Sequence, residues 1–238
     1  RTVSEDAGTR IEIAEGEALG EYVHAAAPGT NITVRQLFRN FPARLKFMRT
    51  EATEASRIQA LVTRYSLAYP CVRFQLTING SLSFSSPGSG SLREAIAAVY
   101  RPEVAEVMLE MVPGATGAED SIARAQGMIS PPSVTRPNRS QITLFVNGRW
   151  VKNRTLTFAV EDSYKGFLME RKFPLVVVNI DLPYGDVDVN VHPSKADVRF
   201  HNEGLVFAAL QQAVRRTLTE YSPVPTLTGL RHSDESYL

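Results

Sequence analysis

The sequence has one cysteine, no long apolar run and almost no net charge. Because Cys71 has no partner among the 238 residues, an internal disulfide is excluded, and this usage is typical of a reducing compartment such as the cytosol or the nucleus. No apolar run approaches the ~18 residues that a membrane-spanning helix needs. The polar opening at residues 1–6 lacks the apolar core of a signal peptide. We therefore expect a protein that is neither secreted nor embedded in a membrane.

Residues with metal-ligand spacing are also scarce. An EF-hand calcium loop beginning at Asp186 would need glycine at its sixth position and glutamate at its twelfth, where the sequence has Val191 and Asp197. The one cysteine and the scattered histidines have no spacing typical of a zinc site. We therefore predict no metal site. The histidines are His24, His192, His201 and His232.

The basic residues are unevenly distributed on a chain whose net charge is +1. Residues 35–73 contain eight basic and two acidic residues, and residues 124–154 contain six basic residues and no acidic one. Two such zones on a nearly neutral chain favour a local surface for a polyanion, although a solvated protein face gives the same pattern. The second zone consists of Arg124, Arg136, Arg139, Arg149, Lys152 and Arg154.

The first third of the chain predicts two strands followed by helices. Residues 9–13 and 30–34 alternate as strands do, and residues 35–47 look helical but are broken by Pro42. A second helix carries apolar residues at helical spacing and ends at Pro70. We place a domain boundary near residues 70–73. The predicted buried face of this helix consists of Ile58, Leu61, Val62 and Tyr65.

The rest of the chain predicts a mixed sheet covered by helices. Asn79-Gly80 and Asn147-Gly148 lie between alternating runs and indicate tight hairpins, because both turn positions need a positive φ. Ser91 caps a helix that runs through Tyr100, and Pro102 begins the next. Strands are predicted near 121–129, 142–146 and 173–181, and helices over 153–167 and 205–218.

Residues 186–200 carry the most informative pattern. Val187, Val189 and Val191 alternate along a strand, His192-Pro193 ends it, and Lys195 lies in the loop just beyond. A lysine on a short loop can reach a phosphate as a point charge, although an isolated loop lysine is usually a solvated surface residue.

Three stretches together resemble the MutL-type DNA mismatch repair family, a branch of the GHKL ATPases. Residues 186–200 are similar to its motif VDVNVHP-x-K-x-x-VRF, residues 29–47 to GT-x-x-x-V-x-x-LF-x-N-x-PAR-x-KF, and residues 145–154 to its FVNGR hairpin. The resemblance covers about residues 9–220. One departure is Phe41, where a threonine is usual.

The resemblance implies an α/β (α+β) fold in three parts. Residues 1–70 would be the end of a GHKL ATPase sandwich. Residues 71–221 would be a transducer domain like the second domain of ribosomal protein S5, with a mixed sheet covered by helices. Residues 222–238 would be a linker or tail.

The resemblance also implies roles for six residues. Gly29 and Thr30 would line the adenine end of a nucleotide pocket, although Thr30 could simply begin a strand. Lys195 would reach the γ-phosphate of ATP and act as the one catalytic contributor. The basic hairpin would bind the DNA backbone without sequence preference, although Arg149 could be purely structural. The DNA-binding residues would be Arg149, Lys152 and Arg154.

The implied function is the coupling of ATP binding and hydrolysis to DNA and MutS engagement. ATP and Mg²⁺ would belong to the intact parent, and the chain alone should hold neither and not hydrolyse ATP, because the general-base glutamate and the Mg²⁺-binding asparagine are not recognisable in it. Implied partners are DNA, a MutS-type mismatch sensor and a second MutL-type subunit. The protein would be cytoplasmic in a bacterium or nuclear in a eukaryote.

Two alternatives remain open at this point. A nucleic-acid-binding or scaffold module could share the fold without using nucleotide, because a fold does not determine a function. The chain could also be the corresponding domain of a type II topoisomerase or a heat-shock chaperone, although those families lack the VNVHP and FVNGR strings.

Overall fold

The computed structural model describes residues 1–112, 114–116, 123–188 and 198–221, with only the backbone at 114–116. The chain divides into two compact units, Arg1–Ala55 and a second that begins at Ser56. This division falls inside a helix, whereas the domain boundary expected from the sequence lies where that helix ends; the expected boundary stays a prediction. The proposed tail at 222–238 lies outside the described residues.

The first unit is built on one hairpin. Strand β1 (Gly8–Ala14) pairs antiparallel with β2 (Glu17–His24), which confirms the strand predicted at 9–13. The strand predicted at 30–34 is wrong: within the described part of this unit its backbone pairs with no other strand, and alternation alone cannot hold a strand. Helix α1 (Pro42–Phe47) begins at the proline that was expected to break it, because proline fits the first helical turn.

Helix α2 (Glu51–Ala68) differs from its prediction in the face that it buries. Ile58 and Leu61 were expected to be buried but are 50% and 47% exposed. The buried residues of this helix are Ser66 and Leu67 in its last turns. Only the C-terminal end of α2 therefore packs into a core in the described structure.

The second unit contains the remaining elements, which follow the predicted order closely. In chain order these are β3 (Gln75–Ile78), β4 (Ser81–Ser85), α3 (Leu92–Tyr100), α4 (Pro102–Val107), β5 (Leu109–Glu110), β6 (Gly114–Thr116), β7 (Ala123–Ile129), β8 (Thr135–Arg136), β9 (Ile142–Val146), β10 (Arg149–Val151), α5 (Arg154–Ser163), β11 (Phe173–Pro174), β12 (Val176–Asp181), β13 (Val187–Asp188), β14 (Arg199–Phe200) and α6 (Glu203–Tyr221).

The central sheet is mixed and is covered by helices on both faces, which confirms the predicted fold class. Its order is β10-β9-β12-β7-β5, with β6 also paired to β7. Strand β12 runs parallel to β9 and antiparallel to β7. One face packs on α5 and α6 through residues such as Leu144, Val160 and Leu210. The other packs on α3, α4 and the end of α2 through residues such as Phe145 and Ile96.

The local turn and cap signals are confirmed. The φ angles are 50° and 80° at Asn79 and Gly80, and 50° and 74° at Asn147 and Gly148, as two-residue hairpin turns require. The Ser91 hydroxyl accepts a hydrogen bond from the amide of Glu94 at 3.3 Å and caps α3. Within the described ranges, no helix is both long and apolar enough to cross a membrane.

Candidate nucleic-acid interface

The β9–β10 hairpin lies at the edge of the central sheet, and its turn is tied to the neighbouring strand. The amide of Asn147 donates to the carbonyl of Ile180 at 3.0 Å. The amide of Gly148 donates to Oδ1 of Asn179 at 2.9 Å. Both acceptors lie on β12, the central strand, so the hairpin tip has a fixed position relative to the sheet.

Strand alternation separates the basic residues of this hairpin. Arg149 pairs with Val146 and is directed toward the α5–α6 face, where it is half-buried. Trp150 pairs with Phe145 and is directed toward the opposite face, where it packs against the core that the sheet forms with α3 and α4. Lys152 is exposed, and its ammonium lies 5.3 Å from the centroid of the Trp150 ring. Arg154 is the exposed first residue of α5.

A second cation lies on the same tryptophan. The guanidinium of Arg64, on α2, lies 4.2 Å from the centroid of the Trp150 ring. Cations at this distance are attracted by the negative face of an aromatic ring. Across the part of the chain that the structure describes, neither Arg64 nor Lys152 forms an ion pair with a carboxylate. We call Arg64, Trp150 and Lys152 the basic-aromatic cluster.

Tyr100 packs on the same face of the sheet, within reach of the charges of Arg64 and Arg136. Burial raises the pKa of Tyr100; a hydrogen bond with Thr143 and the charges of Arg64 and Arg136 act in the opposite direction. The Tyr100 phenol is therefore neutral at physiological pH and brings no negative charge to the face.

Two tyrosines of α2 add aromatic surface beside the hairpin. Tyr65 and Tyr69 are stacked, with ring centroids 6.3 Å apart. The hydroxyl of Tyr69 lies so close to the turn that a Cβ added at Gly148 would be 2.7 Å from it. Glycine at this position therefore allows both the positive φ of the turn and the approach of Tyr69. Aromatic rings interleaved with cations are typical of nucleic-acid surfaces.

The residues expected at a nucleotide pocket are placed differently. Gly29 and Thr30 are exposed in the first unit, where they line an open depression of ≈ 1390 Å³. Gly29 has a φ of 130°, a conformation that favours glycine. Lys195 lies outside the described residues. The strands on either side of it, β13 and β14, pair antiparallel through Val187 with Phe200 and Asp188 with Arg199.

Comparison with known proteins decides the family. The family described as "DNA mismatch repair protein, C-terminal domain" matches residues 96–219. DNA mismatch repair protein MutL of Limosilactobacillus fermentum is 39% identical over 92% of this chain, and that of Streptococcus sanguinis is 40% identical over 90%. This chain belongs to the MutL family of DNA mismatch repair proteins. It spans about a third of the length of the curated MutL relatives that it matches, 33% and 32% for these two.

Solved structures agree with the membership in the MutL family. The N-terminal domain of a DNA repair protein matches with a TM-score of 0.75 and 25% identity, over 92% of this chain and 70% of that one. The Aquifex aeolicus MutL ATPase domain complexed with ADP matches with a TM-score of 0.57 and 25% identity, over 88% of this chain and 69% of that one.

Arg64 is the cluster residue whose role the sequence did not reveal. It falls in the first basic zone, but helical spacing shows only which neighbours on its own helix it approaches. No pattern in one sequence pairs an arginine of α2 with a tryptophan on a distant hairpin. The signal in the sequence is that Arg64 lies in the first basic zone and has no acidic residue three or four positions away on its helix.

Proposed function

We propose that this chain is the part of a MutL-type ATPase that couples ATP binding and hydrolysis to the engagement of DNA and of a MutS-type mismatch sensor. Membership in the MutL family supports the mismatch repair setting. The Aquifex aeolicus MutL ATPase domain that this chain resembles is complexed with ADP, which supports nucleotide use by the parent. In the parent we also propose a second MutL-type subunit, and a bacterial cytoplasm as its location.

The observation that carries the DNA part is the basic-aromatic cluster. Arg64 and Lys152 both approach the Trp150 ring and have no carboxylate partner among the described residues. Two such cations attract phosphate groups, and phosphate contacts give affinity without sequence preference. Arg149 and Arg154 extend the positive charge around the hairpin and onto the start of α5.

We propose that the nucleotide part rests on three residues. Gly29 and Thr30 would lie at the adenine end of the pocket, and Lys195 would contact the γ-phosphate. A fixed positive charge there offsets the negative charge that develops on the phosphate oxygens as the terminal bond breaks. ATP would bring Mg²⁺ with it in the intact parent, whose remaining residues would supply the general base and the metal ligand.

DNA binding by this chain tests the proposal. Duplex affinity would be measured at about 50 and about 200 mM salt for the wild type, Arg149→Glu and Lys152→Glu. We expect the wild-type affinity to fall at least ~10-fold between the two salts, because counterions are released from several phosphates. Each charge reversal should weaken binding at low salt and reduce the log-log salt slope by about one or more.

Lys172→Glu is the matched control. Lys172 is also exposed, but it precedes β11, at the end of the sheet where Val176 pairs with Ile142 and away from the hairpin turn. Its reversal should change affinity by less than about twofold. A wild type that does not bind at low salt, or a control that loses as much affinity as Lys152→Glu, would contradict the proposed surface.

A further inference from the structure

Asn147 makes contacts that its hairpin turn does not require. Its side-chain amide donates from Nδ2 to the carbonyl of Leu182 at 3.0 Å. Its Oδ1 accepts from the amide of Leu182 at 2.9 Å. A glycine would satisfy the positive φ of this turn equally well, so the turn alone does not explain the asparagine. A primary amide can donate and accept at once, which is what both backbone groups of Leu182 need.

Leu182 begins the segment that leads to the Lys195 region. Leu182 is buried in the core between the sheet and helices α5 and α6, which also contains Val198 and against which Val187 packs. After Pro183, the chain forms a short 3-10 turn, Tyr184–Asp186, and then β13. The carbonyl of Asp186 accepts from the amide of His201 at 2.9 Å, just beyond β14. The two strands on either side of residues 189–197 are therefore held together at their base by the bond between Asp186 and His201. Asp186 lies four residues after Leu182, the residue that Asn147 contacts.

We propose that Asn147 is a positioning residue that ties the DNA-binding hairpin to the base of the Lys195 segment, a role that rests on the DNA-binding function proposed above. The two amide bonds connect the turn before Arg149 to the residue that opens this segment. DNA held by the hairpin restrains the turn, and the Leu182 contact transmits that restraint to β13 and β14. The bonds to Leu182 involve one side chain and one backbone position, so they can be removed without removing a basic residue, while the bonds of the Asn147 and Gly148 amides to β12 remain.

Amide hydrogen exchange with and without duplex DNA tests this role. In the wild type, DNA should slow exchange at 182–188 and 198–201 as well as at the hairpin. Asn147→Gly keeps the turn geometry and every basic residue, so it should bind DNA within about threefold of the wild type but lose the slowing at those two stretches. Without DNA, its Leu182 amide should exchange about tenfold faster, because its acceptor is gone. Asn147→Asp keeps the acceptor but not the donor, and its effect should be intermediate.

Asn79→Gly is the control, because it makes the same substitution in the same type of turn in the β3–β4 hairpin. It should leave exchange at 182–188 unchanged. If DNA slows exchange at 182–188 equally in Asn147→Gly, or does not slow it in the wild type although DNA binds, the positioning role is wrong and the DNA-binding function stands. If the wild type does not bind DNA at low salt, both fail.

Discussion

At the scale of single residues, Arg101 adopts a backbone conformation that suits glycine. Its φ is 105° and its ψ is 151°, at the junction of α3 and α4. A side chain in such a region costs about 1–3 kcal/mol. Arg101→Gly should therefore raise the free energy of unfolding by about 1 kcal/mol after the larger entropy of an unfolded glycine is subtracted. Chemical denaturation at equilibrium measures this change.

Arg101→Ala separates backbone strain from the loss of the arginine side chain. Alanine also removes the guanidinium but keeps the Cβ, so the strain remains and no gain is expected. Equal stability of the glycine and alanine variants would show that the φ of Arg101 does not limit stability.

A second residue-scale prediction concerns the buried Tyr164. Its hydroxyl donates to the carbonyl of Ser130 at 2.6 Å. Tyr164→Phe should lower the free energy of unfolding by about 1–3 kcal/mol, because a buried carbonyl loses its donor. Burial also raises the pKa of Tyr164. The folded state therefore keeps the proton, and the resulting stability is present below pH ~10 and lost as pH rises above it.

Urea unfolding of wild type and Tyr164→Phe at pH 7 and above pH 10 measures both effects. The wild type should lose more stability than the phenylalanine variant as the pH rises. If the phenylalanine variant loses as much free energy of unfolding as the wild type above pH 10, that loss comes from groups other than Tyr164.

At the scale of elements, the backbones of β7 and β12 leave no room for a side chain at Gly127. A Cβ at this position would overlap the carbonyl oxygen of Val177, and its φ is 150°. Because this oxygen belongs to the backbone of β12, it cannot move aside as a flexible side chain can. Gly127→Ala should lower the free energy of unfolding by about 3 kcal/mol or more, as overpacking and backbone strain combine.

Gly185→Ala is the control, because Gly185 is exposed and has open space around its Cβ. This substitution should change the free energy of unfolding by less than about 1 kcal/mol. Similar losses in both variants would argue against close strand packing at Gly127.

Elements with local signals were predictable from the sequence, and elements defined by distant packing were not. The Asn147-Gly148 turn and the cap at Ser91 depend on the chemistry of a few adjacent residues, so a single sequence contains them. Residues 30–34 alternate but have no strand partner within the described first unit. The apolar spacing of α2 correctly indicated a helix. This spacing did not show which residues of the helix are buried. Ser66 and Leu67 are buried, whereas Ile58 and Leu61 are exposed.

At the scale of the whole molecule, the motifs predicted the family and the hairpin, but not how the surface is assembled. The sequence placed Arg149, Lys152 and Arg154 in one group. In the structure, strand alternation directs Arg149 and Trp150 to opposite faces, and Lys152 lies with Trp150 rather than with Arg149. The cluster forms only because α2 brings Arg64 onto Trp150. That contact depends on tertiary packing, and no local pattern encodes it. The roles of Gly29, Thr30 and Lys195 stay predictions.

The most direct test of coupling is ATP turnover by the full-length protein with and without duplex DNA. The wild type should hydrolyse ATP faster when DNA is present, and Lys152→Glu should lose that response. Lys195→Ala should lower turnover at least ~10-fold in both conditions, because a charge that stabilises the transition state is gone. Lys172→Glu should behave as the wild type. If Lys195→Ala keeps full ATP turnover, or if DNA does not change the turnover of the wild type, the proposed coupling is wrong. Either result would favour a scaffold that binds nucleic acid without using nucleotide.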